Sequence, residues 1–490
     1  MPGHKSAEHS SQETASGHRR ERDTMGEVAV PQNALYGAQT QRAVENFRLS
    51  RLRLQPPFLR ALALIKSAAA QANLQLGVLP GEIASAIAAA ANRIRRGDYD
   101  SEFVVDVFQT GSGTSTNMNA NEVIARLASQ ALEAQTQNTR VHPNDHVNRS
   151  QSSNDVFPSA IHIAAADAVH TTLLPALRRL WQSLHSKAAE FDDVIKIGRT
   201  HLQDAVPMRL GQEFGGYARQ VELSGTRIST AVEGLYELPL GGTAIGTGLN
   251  APPGFAARAI AIVAKETGLP FREAANHFEA QAARDAVAFL SGALKTTAIS
   301  LTKIANDIRW LGSGPRSGLG ELRLPELQPG SSIMPGKVNP VIPESVLMVC
   351  AQVIGYDAAI SWCCASGNLE LNTMMPLLAY DLLESIELLS NASSSLAEKC
   401  IAGMEAERKN LQQGLERSLA LATPLTLEIG YEAAAEIAKR AHASGETIRA
   451  VARRDTEIPE PKLAELLDVR RMTGPDHQPG KNHPPSRFGD

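Results

Sequence analysis

The sequence predicts a mainly α-helical protein built around a bundle of long helices. Aromatic residues make up only 4% of the chain and Ala-rich segments are frequent, a composition that favours closely packed helices over sheets. From Gln281 to Leu311 there is no proline. Within that run Val287, Leu290, Leu294, Leu301, Ile304, Ile308 and Leu311 recur at steps of three, four or seven, so they share one helical stripe. About 31 residues at about 1.5 Å each would make a rod of roughly 46 Å. That is more than one small core covers along its length, so the bundle is expected to be shared between subunits.

Taken in order, residues 1–20 read as an unstructured polar extension without the apolar stretch of a secretory signal. A mixed N-terminal region follows over 21–151. The helical centre spans 152–409. In it Val156 to Leu173 reads as a helix before Pro175 opens the next, Val194-Ile195-Lys196-Ile197 as a short strand, and Glu344 to Trp362 as a largely apolar helix. A smaller helical region covers 410–473. The tail, 474–490, is dense in Pro, Gly, His and Asn and is expected to be unstructured.

Composition narrows the function. With 48 Lys+Arg against 52 Asp+Glu the formal charge is −4, so no global field recruits nucleic acid or an anionic membrane, and neither is expected as a partner. A small anionic substrate must be drawn in by local arrangement. Cys350, Cys363, Cys364 and Cys400 lie in the last third of the chain, and the adjacent pair lacks CxxC spacing. They read as buried reduced thiols, which suits a reducing compartment and makes the cytoplasm the expected location. No uncharged apolar run reaches the roughly 18 residues of a membrane span. No metal-ligand cluster or dinucleotide fingerprint is apparent, so neither metal nor cofactor is expected.

Four loop-like segments concentrate polar and glycine residues. Thr110-Gly111-Ser112-Gly113-Thr114-Ser115-Thr116-Asn117-Met118-Asn119 offers backbone N–H groups, hydroxyls and amides before a helix expected near Asn121. It reads as a carboxylate cradle at a helix N-terminus, or as a turn with an N-cap. His142-Pro143-Asn144-Asp145 and Ser150-Gln151-Ser152-Ser153-Asn154-Asp155 precede an apolar helix that Ser153 or Asn154 would cap. Gly198-Arg199-Thr200-His201-Leu202-Gln203-Asp204 sets a histidine, a side chain suited to proton transfer, after a short strand. Gly330-Ser331-Ser332-Ile333-Met334-Pro335-Gly336-Lys337-Val338-Asn339-Pro340 looks like a mobile loop carrying a cation and an amide.

This last segment resembles the signature of the fumarase/aspartase superfamily, and the other three resemble that family's remaining motif blocks in the same order. The likeness runs from about Arg20 to Val451. It implies a three-domain, mainly α fold with a central long-helix bundle in a homotetramer, each active site being shared by three subunits. It also implies elimination next to a carboxylate through a dianionic aci-carboxylate. By resemblance Ser331 is the catalytic base, with Lys337 and Asn339 stabilising the developing charge. His201, oriented by Glu344, handles the water or leaving group. Ser112, Thr114, Asn117, Ser152, Ser153, Asn154 and Thr200, with Lys337 and Asn339, would grip the carboxylates of a small dicarboxylate. His142, Asn144 and Asp145 resemble a peripheral anion site.

Within the family, Gly37 to Arg42, Leu240 to Asn250, Ala365 to Asn372 and Ile429 to Lys439 lean towards the fumarase branch, with fumarate and L-malate as substrates. Ser115-Thr116 stands where fumarases commonly carry Gln-Ser, and its serine is similar to aspartases. An aspartate ammonia-lyase, a hydratase of a methylated fumarate and a catalytically inert relative therefore stay open as alternatives.

Overall fold

The computed structural model describes residues 17–135 and 139–474. Long helices dominate, in agreement with the predicted mainly α class, and the strands among the described residues pair only into five two-stranded ribbons. The chain divides into two compact units. One holds residues 17–169, 231–291 and 356–384, and the other holds 170–230, 292–355 and 385–474.

The first unit is organised by helix Pro56–Gln75, which starts with proline at its first positions and is buried along most of its length. Helices Gly81–Arg95, Ser153–Ala168 and Phe255–Thr267 pack against it. Phe58 meets Phe157 with ring centroids 4.6 Å apart, within the range of favourable aromatic pairs. The Gly37–Arg42 motif has a structural use here. Glu122 accepts hydrogen bonds from the backbone of Gly37, Gln39 and Thr40 and from the Thr40 hydroxyl. It thereby satisfies the open N–H groups at the start of helix Ala38–Asn46.

In the second unit, strands Ile195–Thr200 and Gln203–Arg209 form an antiparallel hairpin, followed by helix Leu210–Val232. Near the C-terminus, Leu425, Ile437, Ile448, Val451, Leu463 and Leu467 belong to a buried apolar cluster of their own.

Several boundaries differ from expectation. The run read as one helix from Gln281 to Leu311 is two, His277–Ala282 and Asp285–Leu311. Ala283 is extended (ψ 154°) and Arg284 is buried at the break. Gln281 donates to Thr243 O at 2.9 Å, which ties the first helix to a loop, and Asp285 opens the second where a negative charge suits the helix dipole. The rod is thus about 40 Å long, not 46. Val156 to Leu173 belongs to helix Ser153–Ala168 and a π-helical turn, Val169–Leu173, which leads straight into Leu174–Glu190. Such a turn lets the chain pass Pro175 without breaking. The strand expected at 194–197 is Ile195–Thr200, and the apolar helix is Val341–Ala365.

The helix expected near Asn121 starts at Thr114, so half of the polar run is already helical. The extension assigned to 1–20 ends earlier. His18, Arg19 and Arg20 lie in strand His18–Asp23, where Arg19 donates to Pro31 O and Tyr36 O at 2.7 Å each. Residues 1–16 and 475–490, where the remaining extension and tail were placed, lie outside the described residues.

Candidate active site

In the first unit the Gly-Ser-Gly-Thr run forms a tight corner. Gly113 has φ +75°, and a Cβ on it would come within 2.0 Å of the Phe157 ring; one on Gly111 would come within 1.8 Å of Thr373 O. Only glycine permits both the left-handed turn and this approach. The corner sets the Ser112 and Thr114 hydroxyls 2.8 Å apart. Asn117, on the first turn of Thr114–Glu133, donates to Ser153 Oγ at 3.0 Å and to Asn148 Oδ1 at 3.2 Å. Ser112 and Thr114 thus pair with each other, and Asn117, Ser153 and Asn148 form a second hydrogen-bonded group in the same unit.

Ser152, not Ser153 or Asn154, is the N-cap of the next helix. It forms a capping box in which Asp155 answers to the Ser152 backbone. Asn154 is turned away from capping and donates to Ala244 O at 2.8 Å. The Leu240–Asn250 loop wraps Asp155, whose Oδ2 accepts from Gly241 N at 2.9 Å and Thr243 N at 3.0 Å. Burial pushes the Asp155 carboxyl up to about 6 against those bonds.

Lys66, which the sequence analysis did not single out, lies beneath this region with no exposed surface. Its Nζ donates to Asn148 Oδ1 and Gln151 Oε1 at 3.0 Å each. Burial pushes its ammonium down to about 7, while Asp155 acts in the opposite sense. The available signal was its surroundings: Leu62, Ala63, Leu64, Ile65, Ala68, Ala69 and Ala70 are all apolar.

The neighbouring His142 caps the π-helical turn Pro143–Val147. Its Nδ1 accepts from Asn144 N at 3.3 Å and Asp145 N at 3.2 Å. The Asp145 carboxylate is also 3.2 Å from Nδ1. One nitrogen cannot accept and donate at once, and the backbone N–H groups can only donate, so Nδ1 is the acceptor. His142, Asn144 and Asp145 all face solvent.

In the second unit His201 and Leu202 are the two tip residues of the Ile195–Arg209 hairpin, flanked by the pair Thr200 and Gln203. Both have positive φ, 56° and 61°. Two-residue hairpins require this backbone, but a non-glycine residue in it costs about 1–2 kcal/mol. His201 and Thr200 are exposed at the tip. The strand below is anchored by buried charge. Lys196 Nζ lies 2.8 Å from both Glu213 and Glu321, and Arg199 lies 2.6 Å from Glu321.

The same unit holds the Ser331–Asn339 loop. Gly330 N donates to Lys337 O at 2.7 Å and the Asn339 amide donates to Gly330 O at 2.7 Å, so the loop closes on itself. Gly336 takes the left-handed turn that reversal needs, with φ +78°. Ser331 Oγ accepts from Ile333 N at 3.2 Å and Met334 N at 3.0 Å. Lys337 is exposed. Glu344 lies in the first turn of Val341–Ala365. Within one chain no hydrogen bond joins Glu344 to His201 among the described residues.

Chemically, these pieces offer a serine oxygen held by two N–H groups, an exposed cation, an amide, an imidazole and a hydroxyl-lined corner. Among the described residues no group of three or more His, Cys, Asp or Glu side chains is arranged to hold a metal ion.

The chain matches the lyase family over residues 26–355 and the C-terminal domain of fumarase C over 421–474. It is 56% identical to the class II fumarate hydratase of Mycobacterium tuberculosis over 436 residues, covering 89% of this chain and 91% of the relative. It is 51% identical to that of Methylorubrum extorquens, covering 93% and 97%. Among solved structures it resembles the class II fumarase of Schistosoma mansoni with a TM-score of 0.90 and 39% identity, covering 93% of this chain and 99% of that one. A fumarate lyase:delta crystallin from Brucella melitensis, bound to cobalt, superposes with a TM-score of 0.88 at 48% identity, covering 94% and 100%. The chain belongs to the class II fumarase family of lyases.

Proposed function

We propose that the chain catalyses the reversible anti hydration of fumarate to L-malate through an aci-carboxylate intermediate. The observation that carries this reading is the pair of backbone N–H groups on Ser331 Oγ. Hydrogen bonds to the charged form lower a pKa, so they favour the serine alkoxide, which is the base this chemistry needs.

In the dehydration direction Ser331 removes the proton next to one carboxylate of L-malate. The electron pair moves into that carboxylate and makes it a dianion. Lys337 and Asn339, on the same loop, stabilise this charge; one well-aimed donor is worth about 2.7–4 kcal/mol. The C–O bond then breaks, and the hydroxyl leaves as water with a proton relayed by His201, which Glu344 orients. Ser112, Thr114, Asn117, Ser152, Ser153, Asn154 and Thr200 hold the two carboxylates. His142, Asn144 and Asp145 form a separate peripheral anion site.

The working form is a homotetramer in which three subunits contribute to each site. Supporting this, Val341–Ala365 leaves Met348 (68%) and Trp362 (76%) exposed fourteen residues apart on one helical face. Asp285–Leu311 leaves Phe289, Ile299 and Trp310 exposed in the same way. Apolar stripes of this length call for a partner surface. The regions 21–151, 152–409 and 410–473 serve as its three domains, and the apolar cluster around Leu425 and Leu463 supports the last of them. The four free cysteines suit the reducing cytoplasm.

The test is to supply L-malate and L-aspartate separately and follow the absorbance of fumarate. The hydratase reading requires fumarate from L-malate. Fumarate from L-aspartate alone would support an ammonia-lyase, the reading favoured by Ser115. Turnover of neither by a folded tetramer would indicate an inert relative.

A further inference from the structure

We infer that Lys66 is a positioning residue: a buried amine that orients the Ser153 hydroxyl through Asn148 and Asn117, and couples dicarboxylate binding to uptake of a proton. This rests on the dicarboxylate reading above and goes beyond it, because Lys66 itself is set behind the residues proposed to touch substrate.

The hydrogen bonds have a definite sense. Asn148 Oδ1 receives Lys66 Nζ at 3.0 Å, Asn117 Nδ2 at 3.2 Å and Asn121 Nδ2 at 3.1 Å. Three donors on one oxygen fix the Asn148 amide, whose own Nδ2 donates to Gln151 O at 3.1 Å. Asn117 spends its other N–H on Ser153 Oγ. Ser153 is therefore an acceptor on the inner side, and its proton is free to point to a ligand oxygen.

The charge balance is equally constrained. Lys66 is completely buried, and Asp155, across from it on Ser153–Ala168, is the one charge found to act on it. The 148–151 segment meets its ammonium with amide oxygens, from Asn148 and Gln151. Asp155 is itself buried and held by three backbone N–H groups. With its ammonium pushed down to about 7, Lys66 is only partly protonated near neutrality. A dianion arriving at Ser153 favours the charged form and draws a proton in.

The test is calorimetric titration of the intact protein with succinate, a dicarboxylate with neither double bond nor leaving group. It is run at pH 7 in two buffers of different ionisation enthalpy, on wild type, Lys66→Met and His201→Asn. Wild type and His201→Asn should take up a measurable fraction of a proton per site, and Lys66→Met much less. In wild type alone, the Kd for succinate should rise above pH 7 with a slope approaching tenfold per pH unit, which keeps the test valid if Lys66→Met does not fold. Lys66→Met, if folded, should raise KM for L-malate more than it lowers kcat. Unchanged uptake in Lys66→Met, or a wild-type Kd flat from pH 6.5 to 8.5, overturns the coupling. Failure of succinate to bind at all overturns the dicarboxylate reading with it.

Discussion

The hydroxyl oxygen of Ser331 accepts the backbone N–H of Met334 at 3.0 Å. With the Ile333 N–H at 3.2 Å on the same oxygen, the loop places partial positive charge where an alkoxide would form. A serine is a poor base at its ordinary pKa, so this local arrangement is what makes the proposed proton abstraction feasible.

Replacing Ser331 by alanine removes the proposed base and leaves the loop closure between Gly330, Lys337 and Asn339 in place. Steady-state kinetics on L-malate should show kcat lower by about 10²–10⁴-fold, with KM changed little. A kcat within threefold of wild type would exclude Ser331 as the base.

Gly113→Ala tests the corner that sets Ser112 and Thr114. The new Cβ would meet Phe157 at 2.0 Å in a backbone of φ +75°. Left-handed strain of about 1–2 kcal/mol and overpacking of about 1–3 kcal/mol add, so the thermal midpoint should fall by several degrees. An unchanged midpoint would mean that Phe157 yields without cost.

The buried charges under the His201 hairpin give a third test. Lys196→Met leaves Glu213 and Glu321, the latter almost fully buried, without their shared cation. Breaking such a pair costs about 3–5 kcal/mol, partly offset here by Arg199 on Glu321. Denaturant unfolding should show a loss of roughly this size. Glu321→Gln should also lower kcat, since the strand leading to His201 loses an anchor.

The sequence made the long helices legible because Leu, Ile and Val at steps of three and four report burial directly. The break at Ala283 and Arg284 is not legible there, because neither proline nor glycine marks an end; a tertiary bond from Gln281 to Thr243 O holds the helix before it. The sequence placed the start of Thr114–Glu133 seven residues late, because Ser, Thr and Asn read as loop formers when their partners are unknown. Asn117 is buried in a helix because Ser153 and Asn148 are there to receive it. The motif blocks named the candidate residues, but not the strained backbone of His201 and Leu202 nor the N–H pair on Ser331. Lys66 lies outside the four polar segments, and only its apolar neighbours mark it as buried.

Burial also gives Lys66 a pH signature in stability. Its folded pKa of about 7 is below the ordinary 10.5, so above pH 7 the unfolded chain holds more protons and stability rises with pH towards 10.5. The desolvation cost is thus largest below pH 7. The thermal midpoint of Lys66→Met minus that of wild type should accordingly be more favourable at pH 6 than at pH 9. A difference that grows with pH would contradict the assigned shift.

In the proposed tetramer, residues from separate chains complete one site. Ser331→Ala and His201→Asn, each nearly inactive alone, should be co-expressed and purified as mixed oligomers, and their L-malate turnover measured. If Ser331 and His201 reach one substrate from different subunits, some sites in the mixture are intact and a measurable fraction of wild-type activity returns. Mixed oligomers that remain as inactive as either parent would contradict the shared-site account.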